Sequence, residues 1–487
     1  DLDAAKPAFM VRKASAVGAT YIAWSPDSAE ISWSVGADFK TVAVQELMAR
    51  GYETPESGNN LSMQIEHAVP ESSVALTNAR VITMDATRSV IENATVLIAG
   101  NRIQSIESGG AVPSGYEVVD LAGKTLMPGI VDAHAHGPYA ADDIIPQQNW
   151  NLLAHLALGV TTVHNPSSSA KSAFAAAEYA RAGRILGPRI FSTGEIVYGA
   201  KSTSWAPIDD LDDALAHVRR LAAQGAISIK NYNQPRREQR QQVIEAARQE
   251  GLLSVAEGGS LYQLDMSMIA DGITGIEHNV PTLKMYDDVH QFWQQSGAGY
   301  TPTLVVTYGG LTSEDYFYQH TDVWKHPILS NFVPPAQLQA RSVRRVSAPE
   351  EEYRDDDAAA AAKVLMDAGI MVNIGAHGQR EGLASHWEMW SFARGGFSPM
   401  EALATATINP ARYLGMDQDI GSLEQGKLAD LVIIDANPLD DIRNTDRISH
   451  VMINGRLYRA EDLGEEVTGA SELTPFHWQT TPQGKIR

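Results

Sequence analysis

The chain has 487 residues, with 38 Lys+Arg against 59 Asp+Glu and a formal net charge of −21. Its 44% hydrophobic and 20% charged residues provide for a large core and exclude a disordered polymer, and the lack of cysteine excludes disulfide staples and thiolate metal sites. The acidic balance argues against sequence-independent nucleic-acid binding, which needs cations to neutralise phosphates, and no apolar run approaches the ~20 residues that span a bilayer.

Residues 1–72 do not read as a complete domain. Tyr21–Trp24, the turn Ser25-Pro26-Asp27-Ser28 and Ile31–Val35 form a strand–turn–strand unit. This Trp-Ser-Pro-Asp turn resembles one hairpin of a WD-like β-propeller, a fold that repeats such blades; a lone surface hairpin is the alternative. The chain opens Asp1-Leu2-Asp3 without an initiator Met or a signal peptide, which reads as a trimmed product. A periplasmic or secreted location is therefore expected, with the cytoplasm kept open.

Short β-patterned runs follow in 73–124, among them Ala79–Thr83, Ala94–Ile98 and Arg102–Ile106, and turn residues separate them. The same texture returns after residue 420 in Ala429–Ile434 and His450–Gly455. Segments 73–124 and 421–487 are accordingly expected to build one composite β-sandwich. Between them, 125–420 alternates apolar strand-like runs with helical ones, the pattern of βα repeats. The strand candidates are Thr125–His136, Val160–Pro166, Arg189–Gly194, Ile227–Tyr232, Leu252–Gly258, Gly275–Asn279, Tyr300–Tyr308 and Met371–Gly378. Eight such units predict an α/β fold built on a (β/α)8 TIM-like barrel. The stretch from Gly309 to Asp357 is too long for a simple connection and is expected to form a lid or a wall of the site.

The first barrel strand ends Met127-Pro128-Gly129-Ile130-Val131-Asp132-Ala133-His134-Ala135-His136. Histidines at i and i+2 on a strand share a face. At the C-terminal end of a barrel strand that face is the catalytic mouth, and imidazole is a common ligand for zinc.

At these residues the chain resembles the amidohydrolase superfamily, in particular its imidazolonepropionase and prolidase-like branch. Gly421–Val432 is similar to the family's return into the sandwich, and the resemblance spans roughly residues 74–460. It implies a hydrolase that cleaves an amide or related C–N bond of a peptide-like or N-acyl amino acid substrate. The alternatives are a cyclic amide or lactone hydrolase, and a catalytically silent barrel used for binding. It also implies one or two divalent metal ions, zinc foremost, a small-molecule substrate and a homo-oligomer.

Residue by residue, the resemblance assigns metal binding to His134 and His136, to Lys230 as a carboxylated bridge, with a snorkelling lysine at the barrel rim as the alternative, and to His278. Two positions depart from the family pattern. Val255 stands where the fifth strand normally ends in a histidine, and Glu257, two residues on, offers a carboxylate for metal or catalysis in its place, with a supporting partner or a rim charge as the alternative. His377 stands where the eighth strand normally carries an aspartate; it is a candidate metal ligand and proton carrier, with a structural role as the alternative. His164 is a further catalytic or substrate-contacting candidate, and Tyr198, Tyr232, Arg380, His386 and Glu388 are candidates for holding substrate. The acidic runs Glu350–Glu352 and Asp355–Asp357 are expected only to favour a helix N-terminus.

Overall fold

The computed structural model describes residues 8–55, 57–141, 143–200, 206–258, 261–469 and 473–480. It begins with a four-stranded antiparallel sheet of β1 (Thr20–Trp24), β2 (Glu30–Val35), β3 (Asp38–Ala43) and β4 (Asn59–Asn60). The turn between β1 and β2 closes through Ser25 N donating to Glu30 O at 3.0 Å and Ser25 Oγ donating to Asp27 at 2.6 Å. Trp33 on β2 is buried, while Tyr21, Ile22 and Trp24 on β1 are exposed.

Next come β5 (Ser73–Ile82), β6 (Val90–Ala99), β7 (Arg102–Ser108), β8 (Glu117–Asp120) and β9 (Thr125–Pro128). The central part holds two parallel sheets. One contains β10 (Ile130–Asp132), β11 (Val160–Asn165) and β12 (Arg189–Ser192). The other contains β13 (Ser228–Asn231), β14 (Leu253–Glu257), β15 (Gly275–Glu277) and β16 (Gly299–Thr301). β11 and β13 are buried at every position, as expected for strands covered on both faces.

Helices alternate with these strands, and their ends are chemically marked. The helix Leu211–Gln224 starts where Asp210 accepts from Asp213 N at 3.0 Å, and it stops at Gly225, whose φ of 113° suits only glycine. Isolated parallel bridges join Val197 to Asn231 and Tyr300 to Val372, and Ala133 N donates to Ile374 O at 3.3 Å. Backbone contacts thus pass from β10 to β16, on through 371–376, and back to the residue after β10. The expected eighth strand is only a bridge at Val372, because its last residues close on His134 and His377 adopts φ 59°.

The chain ends in β17 (Leu431–Ile434), β18 (Ile448–Ile453) and β19 (Arg456–Arg459). These strands complete one sheet in the order β19-β18-β17-β9-β5-β6-β7, with β8 beside β5, so segments just over 300 positions apart in sequence pair directly, as in Leu431 with Pro128. Its core packs Leu76, Val96, Ile98, Leu431, Ile433 and Met452. The apolar run expected to be a single strand from Thr125 to His136 is therefore divided. β9 joins the mixed sheet and β10 the parallel one, with Gly129 at the change, where a side chain would overlap Thr161 on β11.

The 309–357 stretch is not a loose lid. It contains helices Ser313–His320, Leu329–Phe332 and Pro335–Gln339, and its ends are clipped by Arg354 N donating to Leu311 O at 3.1 Å. Phe317 stacks on Trp387 at 5.5 Å, which places the segment in the core. The acidic residues from Asp355 open the helix Asp355–Asp367, where Asp355 pairs with Arg394 at 3.2 Å. No helix among the described residues is long and apolar enough to cross a membrane.

Gly129→Ala is expected to destabilise the fold by about 1–3 kcal/mol through overpacking against Thr161. Removing the offending atoms with Thr161→Ala in the same chain should restore part of the loss, measured by urea denaturation.

Candidate active site

His134, His136, His278 and His377 converge just beyond the C-terminal ends of the parallel strands, with ring centroids 4.8–5.1 Å apart among the neighbouring pairs. Ligand atoms of His134, His136 and His377 lie within 4.8 Å of one another. β10 ends at Asp132, so the two first histidines sit in the extended turn that follows it. The Asp132 carboxylate accepts from His134 N and Ala376 N, both at 3.1 Å, and binds this turn to the turn carrying His377. His278 and His377 both adopt left-handed backbone, φ 72° and 59°, a conformation uncommon for residues with a side chain and associated with functional sites.

Partners behind the rings of His134, His136 and His278 fix their hydrogens. His134 Nδ1 lies 2.7 Å from Glu277 Oε2, and His136 Nδ1 lies 3.0 Å from Asn165 Oδ1. Asn165 Nδ2 donates to Tyr139 and its Oδ1 accepts from Ser167 N, so the network assigns its oxygen to His136. His278 Nδ1 lies 2.6 Å from Thr303 Oγ1, whose own hydrogen goes to Pro302 O. Burial pushes the Glu277 carboxyl up to about 7; in its carboxylate form it accepts from His134, and then all three Nδ1 atoms are donors and all three Nε2 atoms direct lone pairs inward.

Two contacts follow in which no neutral group supplies a hydrogen. His134 Nε2 faces His136 Nε2 at 3.1 Å, and His278 Nε2 faces Glu257 Oε1 at 2.9 Å. Each needs a shared proton or a metal cation. Burial, followed by the neighbouring Lys230 and imidazoles, pushes His134 well below the ordinary histidine range, and burial likewise brings His377 down to about 3. A proton is thus a poor occupant at His134 and His377, whereas neutral imidazoles are ready ligands.

Lys230 is buried at the end of β13 with Nζ 2.6 Å from Glu257 Oε2, yet no well-angled hydrogen bond reaches that nitrogen. Burial opposes ionisation of Glu257, but the His278 contact and the Lys230 charge outweigh it and hold the carboxyl well below the usual carboxylate range. Val255, two residues earlier on β14, packs with Val131, Ala133 and Tyr413 in an apolar cluster. Tyr308 stands 5.3 Å from the His278 ring, and Tyr232 and Tyr198 stand 6.2 Å from each other. Glu257 acts on the hydroxyls of both Tyr232 and Tyr308.

Four residues do not fit the roles expected of them. His164 has both nitrogens taken, by Ala133 O at 3.0 Å and Ser228 Oγ at 2.7 Å, and the residue that serves the site from β11 is Asn165. His386 gives Nε2 to Leu158 O at 2.9 Å. Glu388 accepts from Val305 N at 2.7 Å and Gly375 N at 3.3 Å, so it braces the turn behind the histidines. Arg380 is spent on Tyr318, Glu381 and Gln337 O. Four contributors were not foreseen: Glu277, Asn165, Thr303 and Tyr308. Glu277 and Asn165 adjoin expected site residues in sequence, which is the only signal they offered.

Residues 125–458 match the Amidohydrolase family, and the chain belongs to that family. It is 23% identical over 412 residues to the 5-methylthioadenosine/S-adenosylhomocysteine deaminase of Moorella thermoacetica, covering 76% of this chain and 91% of that protein. It is likewise 23% identical to a probable imidazolonepropionase of Danio rerio, covering 78% of this chain and 92% of the relative. Among solved structures, an Xaa-Pro dipeptidase with bound methionine in the active site superposes with a TM-score of 0.61 at 22% identity, over 80% of this chain and all of that one. The chain is a hydrolase acting on C–N bonds.

Burial pushes His386 down to about 4 from its ordinary value near 6.5, and its Nδ1 has no partner to receive a new N–H. The unfolded chain takes up that proton below about 6.5 and the folded one only below about 4, so stability is lost as pH falls through this window. His386→Gln should flatten the pH dependence of unfolding between those values by up to ~1.4 kcal/mol per pH unit, measured by denaturant titration across pH 4–7.

Proposed function

We propose that this site hydrolyses an amide or related C–N bond of a peptide-like or N-acyl amino acid substrate, with divalent metal held by the four histidines, Glu257 and Lys230. The observation that carries the reading is the pair of lone-pair contacts at 3.1 and 2.9 Å, since a cation at each would satisfy it. His134, His136 and His377 would hold one ion, and His278, Glu257 and Lys230 would complete a second position. Carboxylation of Lys230 would change its buried Nζ from a cation into an anionic oxygen ligand. An ion held by these residues, zinc foremost, would supply polarisation of a carbonyl and a water near neutral ionisation.

The chain's own groups supply the rest. Glu277 and Asn165 keep His134 and His136 in the tautomer that directs Nε2 inward. His377, held neutral because burial depresses its basicity to about 3, serves as a ligand and not as a proton carrier. Tyr232 and Tyr308 flank Glu257, where their rings offer an apolar wall and their hydroxyls hydrogen bonds to a substrate carbonyl. The Xaa-Pro dipeptidase likeness supports a peptide-like substrate. The imidazolonepropionase and deaminase relatives favour a second reading, a cyclic amide or amidine.

We further read the parallel sheets as one (β/α)8 barrel, supported by the bridges that return to β10. The single Trp-Ser-Pro-Asp turn within a four-stranded antiparallel sheet likewise supports descent of β1–β4 from a propeller blade.

Turnover of dipeptides, N-acyl amino acids and cyclic amides, followed by amine release, tests the proposal. Release from the first two groups, lost by at least ~10³-fold in His134→Ala/His136→Ala, is expected. Unchanged turnover in that variant overturns the proposal, and turnover of cyclic amides alone shifts it to the second reading.

A further inference from the structure

Tyr413 ends the helix Ile408–Tyr413, on the connection that leads back toward β17 and away from the site. Its side chain nevertheless reaches into the strand interior. Side chains at Gly275 on β15 and Gly299 on β16 would both overlap its ring, so two neighbouring strands leave out their side chains where it passes. The ring packs with Val131, Ala133 and Val255, and its hydroxyl meets Glu277 Oε1 at 2.8 Å. The other carboxylate oxygen, Oε2, is the one that faces His134 Nδ1 at 2.7 Å.

A phenylalanine would fill the same slot, and burying a phenol costs free energy unless its hydroxyl is hydrogen-bonded. The hydroxyl is met by a single carboxylate oxygen of a residue that is itself fully buried. Donation to Oε1 fixes the carboxylate's rotation and leaves Oε2 aimed at the imidazole. The tautomer of a ligand histidine is set by what its other nitrogen bonds.

We propose that Tyr413 is a positioning residue that acts through Glu277 to hold His134 with Nδ1 protonated and Nε2 free to ligate. The inference rests on the reading of His134 as a metal-holding residue. It assigns a part in the site to a side chain from the far end of the catalytic segment, and it accounts for the glycines at 275 and 299 as the slot that admits it.

Two readouts test it. The first is zinc affinity by competition with a chromogenic chelator. Glu277→Gln is expected to weaken zinc binding about 10–100-fold, as loss of an outer partner of a ligand histidine does, and Tyr413→Phe about 3–10-fold. The combined variant should bind no more weakly than Glu277→Gln alone, because the hydroxyl acts only through that carboxylate. A role in packing alone would instead make the two losses multiply. The second readout is the ¹⁵N shift of the His134 ring in metal-free protein. The Nδ1–H form is expected in the wild type and a mixture of tautomers in Tyr413→Phe.

Multiplying losses, unchanged zinc affinity in Tyr413→Phe, or an unchanged tautomer would each overturn the proposal. If Tyr413→Phe does not fold, Glu277→Gln with unaltered zinc affinity does so as well. The tautomer is read without metal or turnover, so failure there is distinct from failure of the hydrolytic reading.

Discussion

The site is organised around nitrogen lone pairs that are forced to face one another. Glu277, Asn165 and Thr303 each receive an Nδ1–H from behind an imidazole, and that leaves Nε2 of His134, His136 and His278 as acceptors turned inward. Such an arrangement in a buried space is unfavourable by itself, because unpaired polar atoms lose solvation without compensation. It becomes favourable when a cation is shared, and then the rear partners raise the basicity of each ligand and fix its direction. Burial works the same way: it suppresses the protonated imidazole that would otherwise fill the gap at His134 and His377.

The fold serves this constraint by bringing short turns together at one end of the parallel strands. Asp132 ties the turn after β10 to the turn that holds His377. Glu388 binds the backbone of Val305 and Gly375 from the helix Leu383–Arg394. The helical 309–357 segment reaches the His377 turn through Glu314, which accepts from Gln379 Nε2 at 2.6 Å and pairs with Arg341. Rigidity of this kind lets a catalytic group keep its direction through a reaction cycle. The left-handed backbone of His377 persists because these bonds over-determine it.

Much of this was legible in the sequence because chemistry and periodicity coincide. His134 and His136 sit at a spacing of two after an apolar run, and Lys230 and His278 each end a buried strand, so residue type and strand position point to one place. Glu257 was legible as the candidate replacement for a histidine, since it keeps the alternation of β14 that passes through Val255. The division of the first strand at Gly129 was not legible, because Thr125–Pro128 and Ile130–Asp132 are both apolar and differ only in which sheet they join. His164 misled for a related reason. It lies on an inward-facing position, but its nitrogens find Ser228 and a backbone carbonyl, partners set by strands remote in sequence. Arg380, His386 and Glu388 were placed by closeness to His377 in the chain, and a single helical turn carries the last two away from the mouth. Tyr413 could not be seen at all, since its relation to Glu277 depends on two glycines across two strands.

The central claim is that divalent metal occupies the space between these lone pairs. Metal content per chain, measured by mass spectrometry on protein purified without added metal and again after zinc reconstitution, tests it most directly. The account predicts about one or two divalent ions per chain, with the higher number reduced in Lys230→Ala. A folded protein that holds no stoichiometric metal even after reconstitution would contradict it.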